Sequence, residues 1–145
     1  INSGAYQRAV HALRPDATVL CRPCPLFVPL AEEGWTTGPV PRTIAETYLK
    51  PLLDEDIDTI VLGCTHYPLL RDVIAGVVGD AVTVVDSAES TSQVIAEVLE
   101  GMGIASDTEE EAERRFLVTD DPSTFISLGS RFMGREISNV EWVDF

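Results

Sequence analysis

A cysteine and a histidine two positions apart, Cys64 and His66, close an apolar run in the segment "DTIVLGCTHYPLL" from Asp58 to Leu70. Gly63 precedes them, Thr65 lies between them, and Tyr67-Pro68 follows. A free thiol has a pKa of about 8.5, and a nearby imidazolium or helix N-terminus lowers it, giving a thiolate that serves as nucleophile or base. If the backbone stays extended through the turn, residues two apart point to one side, which would bring His66 near the Cys64 sulfur or its substrate. Gly63 would let backbone approach a ligand closely. The residue types leave two readings open: a reactive thiol with an assisting imidazole, or a packed cysteine beside a structural histidine. The remaining cysteines do not complete a metal site, since Cys21 and Cys24 form one C-x-x-C pair with no second pair, and His11 and His66 are the only histidines. They read as packing residues.

Such a pair needs elements to position it. Short β-branched runs alternate with stretches of helical apolar spacing, an α/β pattern. The spacing predicts a helix over "SGAYQRAVHALRP" with Ser3 as N-cap and Ala5, Val10 and Leu13 on one side, then a strand over Ala17 to Arg22. A short helix follows in "PLFVPLAEEG", closed by Gly34, and a longer one in "PRTIAETYLKPLL", bent or broken near Pro51. "IDTIVLGC" and "AVTVVDS" predict parallel neighbouring strands buried on both faces, each followed by a helix, the second capped by Ser87. Ligands of open α/β sheets bind beyond the carboxyl ends of the strands, and that is where Cys64, Thr65 and His66 fall. After the acidic run "SDTEEEAERR", a solvated linker by composition, one more strand, helix and strand are expected, completing the first sheet or forming another.

Composition narrows the partners. The 145 residues carry a formal charge of -14 and only ten Lys and Arg, which argues against a nucleic-acid partner. The apolar runs are far shorter than the roughly 20 residues that span a bilayer, and no leader-like N-terminus is visible, so a soluble cytoplasmic chain is expected. An odd count of three cysteines fits a reducing compartment.

Three separated segments, "CPLFVPLAEEG" from Cys24, "LGCTHYPLL" from Leu62 and "VDSAE" from Val85, together resemble the C-terminal half of bacterial glutamate racemases, in the aspartate/glutamate racemase superfamily. "FLVTDDPSTFISLGSRFMG" is similar to the family's C-terminal strand and helix. The resemblance implies a three-layer α/β sandwich around a mostly parallel sheet, with a domain over residues 1–105 and a segment over 106–145 that crosses back to an N-terminal half. It also implies interconversion of L- and D-glutamate without pyridoxal phosphate or metal, using two cysteines on opposite faces of the substrate, to supply D-glutamate for peptidoglycan and so for cell-wall growth and cell shape. Cys64 would be the base for L-glutamate, with His66 assisting it. Glu32, or Glu33 beside it, would support the same side, and Thr65 would bind substrate through its hydroxyl or N–H. Asp86 and Ser87 read as helix-capping residues, and Tyr67 and Pro68 as setting the turn. The opposing cysteine with its Asn-Thr neighbours is not found in these 145 residues. The expectation is therefore a fragment holding half of an active site, inactive alone, with a homodimer admitted as its assembly. Two alternatives stay open: a binding domain without catalysis, and a one-cysteine relative such as a decarboxylase or isomerase.

Overall fold

The computed structural model describes residues 3–108 and 112–144 and divides into two compact units, Ile1–Ser90 and Thr91–Phe145. The middle of the acidic run, residues 109–111, lies outside the described residues.

In the first unit, helix α1 spans Ala5–Leu13. Its N-cap is Gly4 rather than Ser3, whose Oγ accepts only a long 3.4 Å bond from the Ala5 N–H. None of its residues is buried, and Leu13 stands 83% exposed. The expected strand over Ala17 to Arg22 is absent: the segment has no ladder partner among the described residues, and an extended chain becomes a strand only by pairing its N–H and C=O groups. Helix α2 is Phe27–Glu32, ended by Gly34 at φ 75°. Helix α3, Pro39–Leu53, runs through Pro51 without a break. Pro51 sits in the last turn, where the N–H it lacks would have made one of the final intrahelical bonds, so little of the ladder is lost.

Strands β1 (Thr59–Leu62) and β2 (Thr83–Asp86) pair in parallel, with Thr59 opposite Thr83 and Leu62 opposite Asp86. Between them come a 3₁₀ turn, Tyr67–Leu70, started by Pro68, and helix α4, Arg71–Val78, stopped by Gly79. The pair is not buried on both faces as predicted: Leu62 is 2% exposed and Val61 46%, because α-helical cover lies on one side only. The core gathers Cys24, Phe27, Leu30, Ala45, Leu49, Leu62, Leu70, Ile74, Val78 and Val82. It therefore forms where α2, α3, α4 and β1 meet, directly beneath the turn that follows β1. Burial at this density is worth about 1.5–3 kcal/mol per large side chain.

Helix α5, Ser87–Gly101, starts in the first unit and ends in the second. The second unit continues as β3 (Phe116–Val118), α6 (Pro122–Met133) and β4 (Val140–Trp142), with β3 and β4 parallel. These strands form a pair of their own. Asp121 caps α6 by accepting from the backbone N–H groups of Ser123 and Thr124, and four hydrogen bonds from these two residues hold its carboxyl far below the usual carboxylate range. Gly129 is glycine for lack of space, since a Cβ there would stand 2.6 Å from Ile137 Cδ1. The division into units falls at Ser90, within α5, whereas the sequence suggested a boundary near residue 105.

Candidate functional site

The parallel register ends β1 and β2 at the same level, so the turn after Leu62 and the start of α5 stand side by side. Leu62 and Leu70, 2% and 1% exposed, fix the two ends of that turn in the core. Gly63, Cys64, Thr65 and His66 lie between these anchors, Cys64 partly exposed and Thr65 exposed. The buried apolar residues thus hold the backbone while leaving the polar side chains at the rim.

His66 Nε2 lies 3.3 Å from Glu32 Oε1, a contact that joins the end of α2 to the turn. Of the two acids there, the described ion pair is made by Glu32. On the other ring nitrogen, Nδ1 is 3.4 Å from Thr65 Oγ1, close enough for a weak hydrogen bond whose direction follows the tautomer. An imidazole held at both nitrogens has a fixed orientation and one labile proton to place between them, which suits it to relay a proton.

Two tyrosines anchor the start of α2, Tyr67 from this turn and Tyr48 from α3. Tyr67 donates its hydroxyl to the Cys24 carbonyl at 3.2 Å, and the Leu26 N–H donates to the Tyr48 hydroxyl at 3.3 Å. Phe27 sits edge-on to both rings, with centroids 5.4 Å from Tyr48 and 5.2 Å from Tyr67. Burial pushes the Tyr67 phenol up to about 12, with the neighbouring Cys24 and Cys64 thiols adding to it. Cys24 is 5% exposed, and its burial pushes the thiol up to about 11, outweighing the opposing pull of Arg22. It stays protonated at neutral pH and serves as packing. Cys21 is exposed and accepts from Gln7 Nε2 at 3.0 Å.

Of the two capping residues expected after β2, Asp86 fills the role, its Oδ1 accepting from the Ala88 N–H at 2.8 Å, and Ser87 does not. Ser87 is the first residue of α5, and its Oγ donates instead to the Leu62 carbonyl at 3.1 Å, tying α5 to the end of β1. Arg71 reaches the Val84 carbonyl at 3.4 Å and lies 3.6 Å from Glu89, bracing the same end of the pair. The feature that sequence reasoning missed is Tyr6: a Cβ on Gly63 would lie 3.3 Å from its Cε2, Cζ and hydroxyl oxygen, so the close approach that Gly63 permits is made by this ring. A glycine directly before the Cys64–His66 pair was the available signal, and the partner was not legible in it. A shallow depression lined by Thr43, Glu46, Thr47, Lys50, Pro51 and Asp54 contains none of the expected site residues. No cluster of three or more metal-ligating side chains occurs among the described residues, and none of their helices is long and apolar enough to cross a membrane.

No family model matches the chain. Among curated proteins it is 46% identical over 140 residues to a glutamate racemase of Geobacter metallireducens, covering 97% of this chain and 52% of that protein. It is 45% identical over 143 residues to a glutamate racemase of Neisseria meningitidis serogroup A, covering 99% and 53%. Among solved structures it is similar to the Francisella tularensis glutamate racemase in complex with D-glutamate, with TM-score 0.88 and 34% identity over 99% of this chain and 53% of that one. It is similar likewise to the Thermus thermophilus glutamate racemase in complex with β-chloro-D-alanine, with TM-score 0.81, 39% identity and coverage of 99% and 52%. The chain spans about half the length of the relatives it matches.

Proposed function

From a chain homologous to the C-terminal half of glutamate racemases and sharing their α/β fold, we propose that it carries one of the two acid/base sides of glutamate racemisation. The α-proton of glutamate is very weakly acidic, so its removal calls for a positioned base, a facing acid and donors that hold the carboxylate. On this reading Cys64 acts as thiolate base towards L-glutamate and as thiol acid in the reverse direction. His66 assists by moving a proton on the Cys64 side, Glu32 orients the imidazole, and Thr65 binds substrate through its hydroxyl or N–H. The opposing cysteine belongs to the other half, towards which residues 106–145 cross back. Neither a cofactor nor a metal takes part. The product serves peptidoglycan synthesis in the cytoplasm, and with it cell shape.

The observation that carries this reading is the Glu32–His66 contact at 3.3 Å, which joins two segments 34 positions apart beside a partly exposed cysteine at a strand's carboxyl end. An imidazole held by a carboxylate from a separate helix, two residues from a thiol, is placed to pass a proton on that side. The test is a chimera in which these 145 residues replace the matching half of the Geobacter metallireducens racemase, assayed from each enantiomer alongside a thermal melt. Cys64→Ala should abolish racemisation, since alanine neither takes nor gives a proton. Cys64→Ser should fail nearly as completely because a hydroxyl is seldom ionised at neutral pH. His66→Asn should cost about 10²-fold or more, with the larger loss starting from L-glutamate. A folded Cys64→Ala chimera that turns over like its parent would overturn the assignment.

A further inference from the structure

Gly63 is not required by backbone conformation, for it is absent from the residues of positive φ. It is required by space. A methyl group there would lie 3.3 Å from two ring carbons and the hydroxyl oxygen of Tyr6, tighter than about nine in ten such contacts. Tyr6 comes from α1, a helix with no buried residue of its own, and is 47% exposed. Its hydroxyl makes no hydrogen bond among the described residues, so what the structure shows of the side chain is this steric contact. On the far side of the same short stretch, Ser87 holds the Leu62 carbonyl at 3.1 Å. The residue before Gly63 is thus tied through its carbonyl, and Gly63 itself is backed by the hydroxyl end of the Tyr6 ring.

We infer that Tyr6 is a positioning residue for Cys64: its ring backs Gly63, and together with the Ser87–Leu62 bond it sets where the turn presents the thiol. This rests on the reading of Cys64 as the acid/base group, but the arrangement concerns the turn and is measurable without racemisation. The hydroxyl makes no hydrogen bond to the turn, so the ring does the positioning by its bulk and the phenol oxygen adds only van der Waals contact. A displacement of a few tenths of an ångström at Gly63 moves Cys64, and misplacement of a reacting group by about 1 Å costs up to about 10²-fold.

The experiment uses the 145-residue chain and follows the rate of iodoacetamide modification at Cys64, separated from Cys21 and Cys24 by peptide mass mapping, next to a thermal melt. Gly63→Ala should change the Cys64 rate by about threefold or more, and Tyr6→Ala placed in the same chain should bring it back towards the parent value, because the added methyl then has room. Tyr6→Phe should match the parent while Tyr6→Ala alone does not. If Gly63→Ala prevents folding, recovery of a cooperative melt in the Gly63→Ala/Tyr6→Ala chain supports the same contact. A Gly63→Ala effect that Tyr6→Ala leaves untouched, or a Tyr6→Phe chain that behaves like Tyr6→Ala, would overturn it. In the racemase chimera Gly63→Ala and Tyr6→Ala, each alone, should lower kcat more than they raise KM. Failure of that arm with the alkylation pattern intact would count against Cys64 as the acid/base group and leave the positioning contact standing.

Discussion

Phe27 is the point at which the core and the turn after β1 share one side chain, and truncating it gives a quantitative check. It is 2% exposed, and its ring meets Tyr48 and Tyr67 edge-on at interplanar angles of 82° and 87°. Phe27→Ala should cost about 3–5 kcal/mol from lost transfer energy and the cavity left behind. Phe27→Leu keeps most of the apolar volume and loses the two ring pairs, at about 0.5–1.5 kcal/mol each, so about 1–3 kcal/mol in all. Against a domain stability of about 5–15 kcal/mol, the alanine variant removes a large fraction. The assay is urea unfolding of the chain followed by Trp35, whose N–H bonds to the Leu30 carbonyl at 2.8 Å and so reports the end of α2. Of the two tryptophans, Trp142 is replaced by phenylalanine so that one signal remains. The slope against urea should be unchanged. Tyr67, pushed up to about 12 mainly by burial, should titrate closer to its ordinary value of 10.0 in Phe27→Ala, because water then reaches the phenol. A Phe27→Ala cost below about 1 kcal/mol, or equal costs for alanine and leucine, would refute the packing described here.

Three further outcomes are expected. The 145-residue chain alone should not racemise glutamate at a useful rate, since loss of one positioned acid or base typically costs about 10²- to 10⁴-fold; a polarimetric assay giving robust turnover would show that one cysteine suffices. Cys24, raised from 9.0 to about 11, holds its proton more tightly in the folded than in the unfolded chain, so its contribution is complete below pH 9 and is lost as pH rises towards 11. Thermal melts should fall through that window and Cys24→Ala should flatten the decline; a parallel decline in both chains contradicts the buried thiol. Asp121 is shifted the other way, so its cap holds above the ordinary aspartate value of about 4 and weakens as pH falls below it. Asp121→Asn should remove that acid dependence from the helicity of α6, and an unchanged acid limb in circular dichroism would speak against the cap.

The local elements were largely legible because each carries its own signal within a few residues. Pro68 after the motif, Gly79 after α4 and Gly34 after α2 all act through backbone geometry that the residue type dictates. The β-branched runs in "IDTIVLGC" and "AVTVVDS" likewise announced β1 and β2, whose parallel pairing places Cys64 where the sequence put it, at a carboxyl end. Where the sequence misled, a partner was missing from view. Ala17 to Arg22 has strand composition, yet strand formation depends on a neighbour, and none is paired to it among the described residues. Ser87 has the composition of a cap, but Asp86 one residue earlier took the Ala88 N–H and freed the serine for Leu62. Pro51 reads as a break only until its place in the final turn of α3 is known.

By itself, then, the sequence determined which residue types stand at the end of β1 and what chemistry a thiol, an imidazole and a carboxylate could perform. Tertiary structure alone decided that Glu32 rather than Glu33 reaches His66, that Tyr67 bonds the Cys24 carbonyl, and that Tyr6 fills the space Gly63 leaves. The physical reason is sequence separation: these contacts span 34, 43 and 57 positions, as in Glu32–His66, Cys24–Tyr67 and Tyr6–Gly63. Periodicity and capping rules act over one or two turns of chain, whereas contacts at this range form only when α1, α2 and β1 are folded onto a common core.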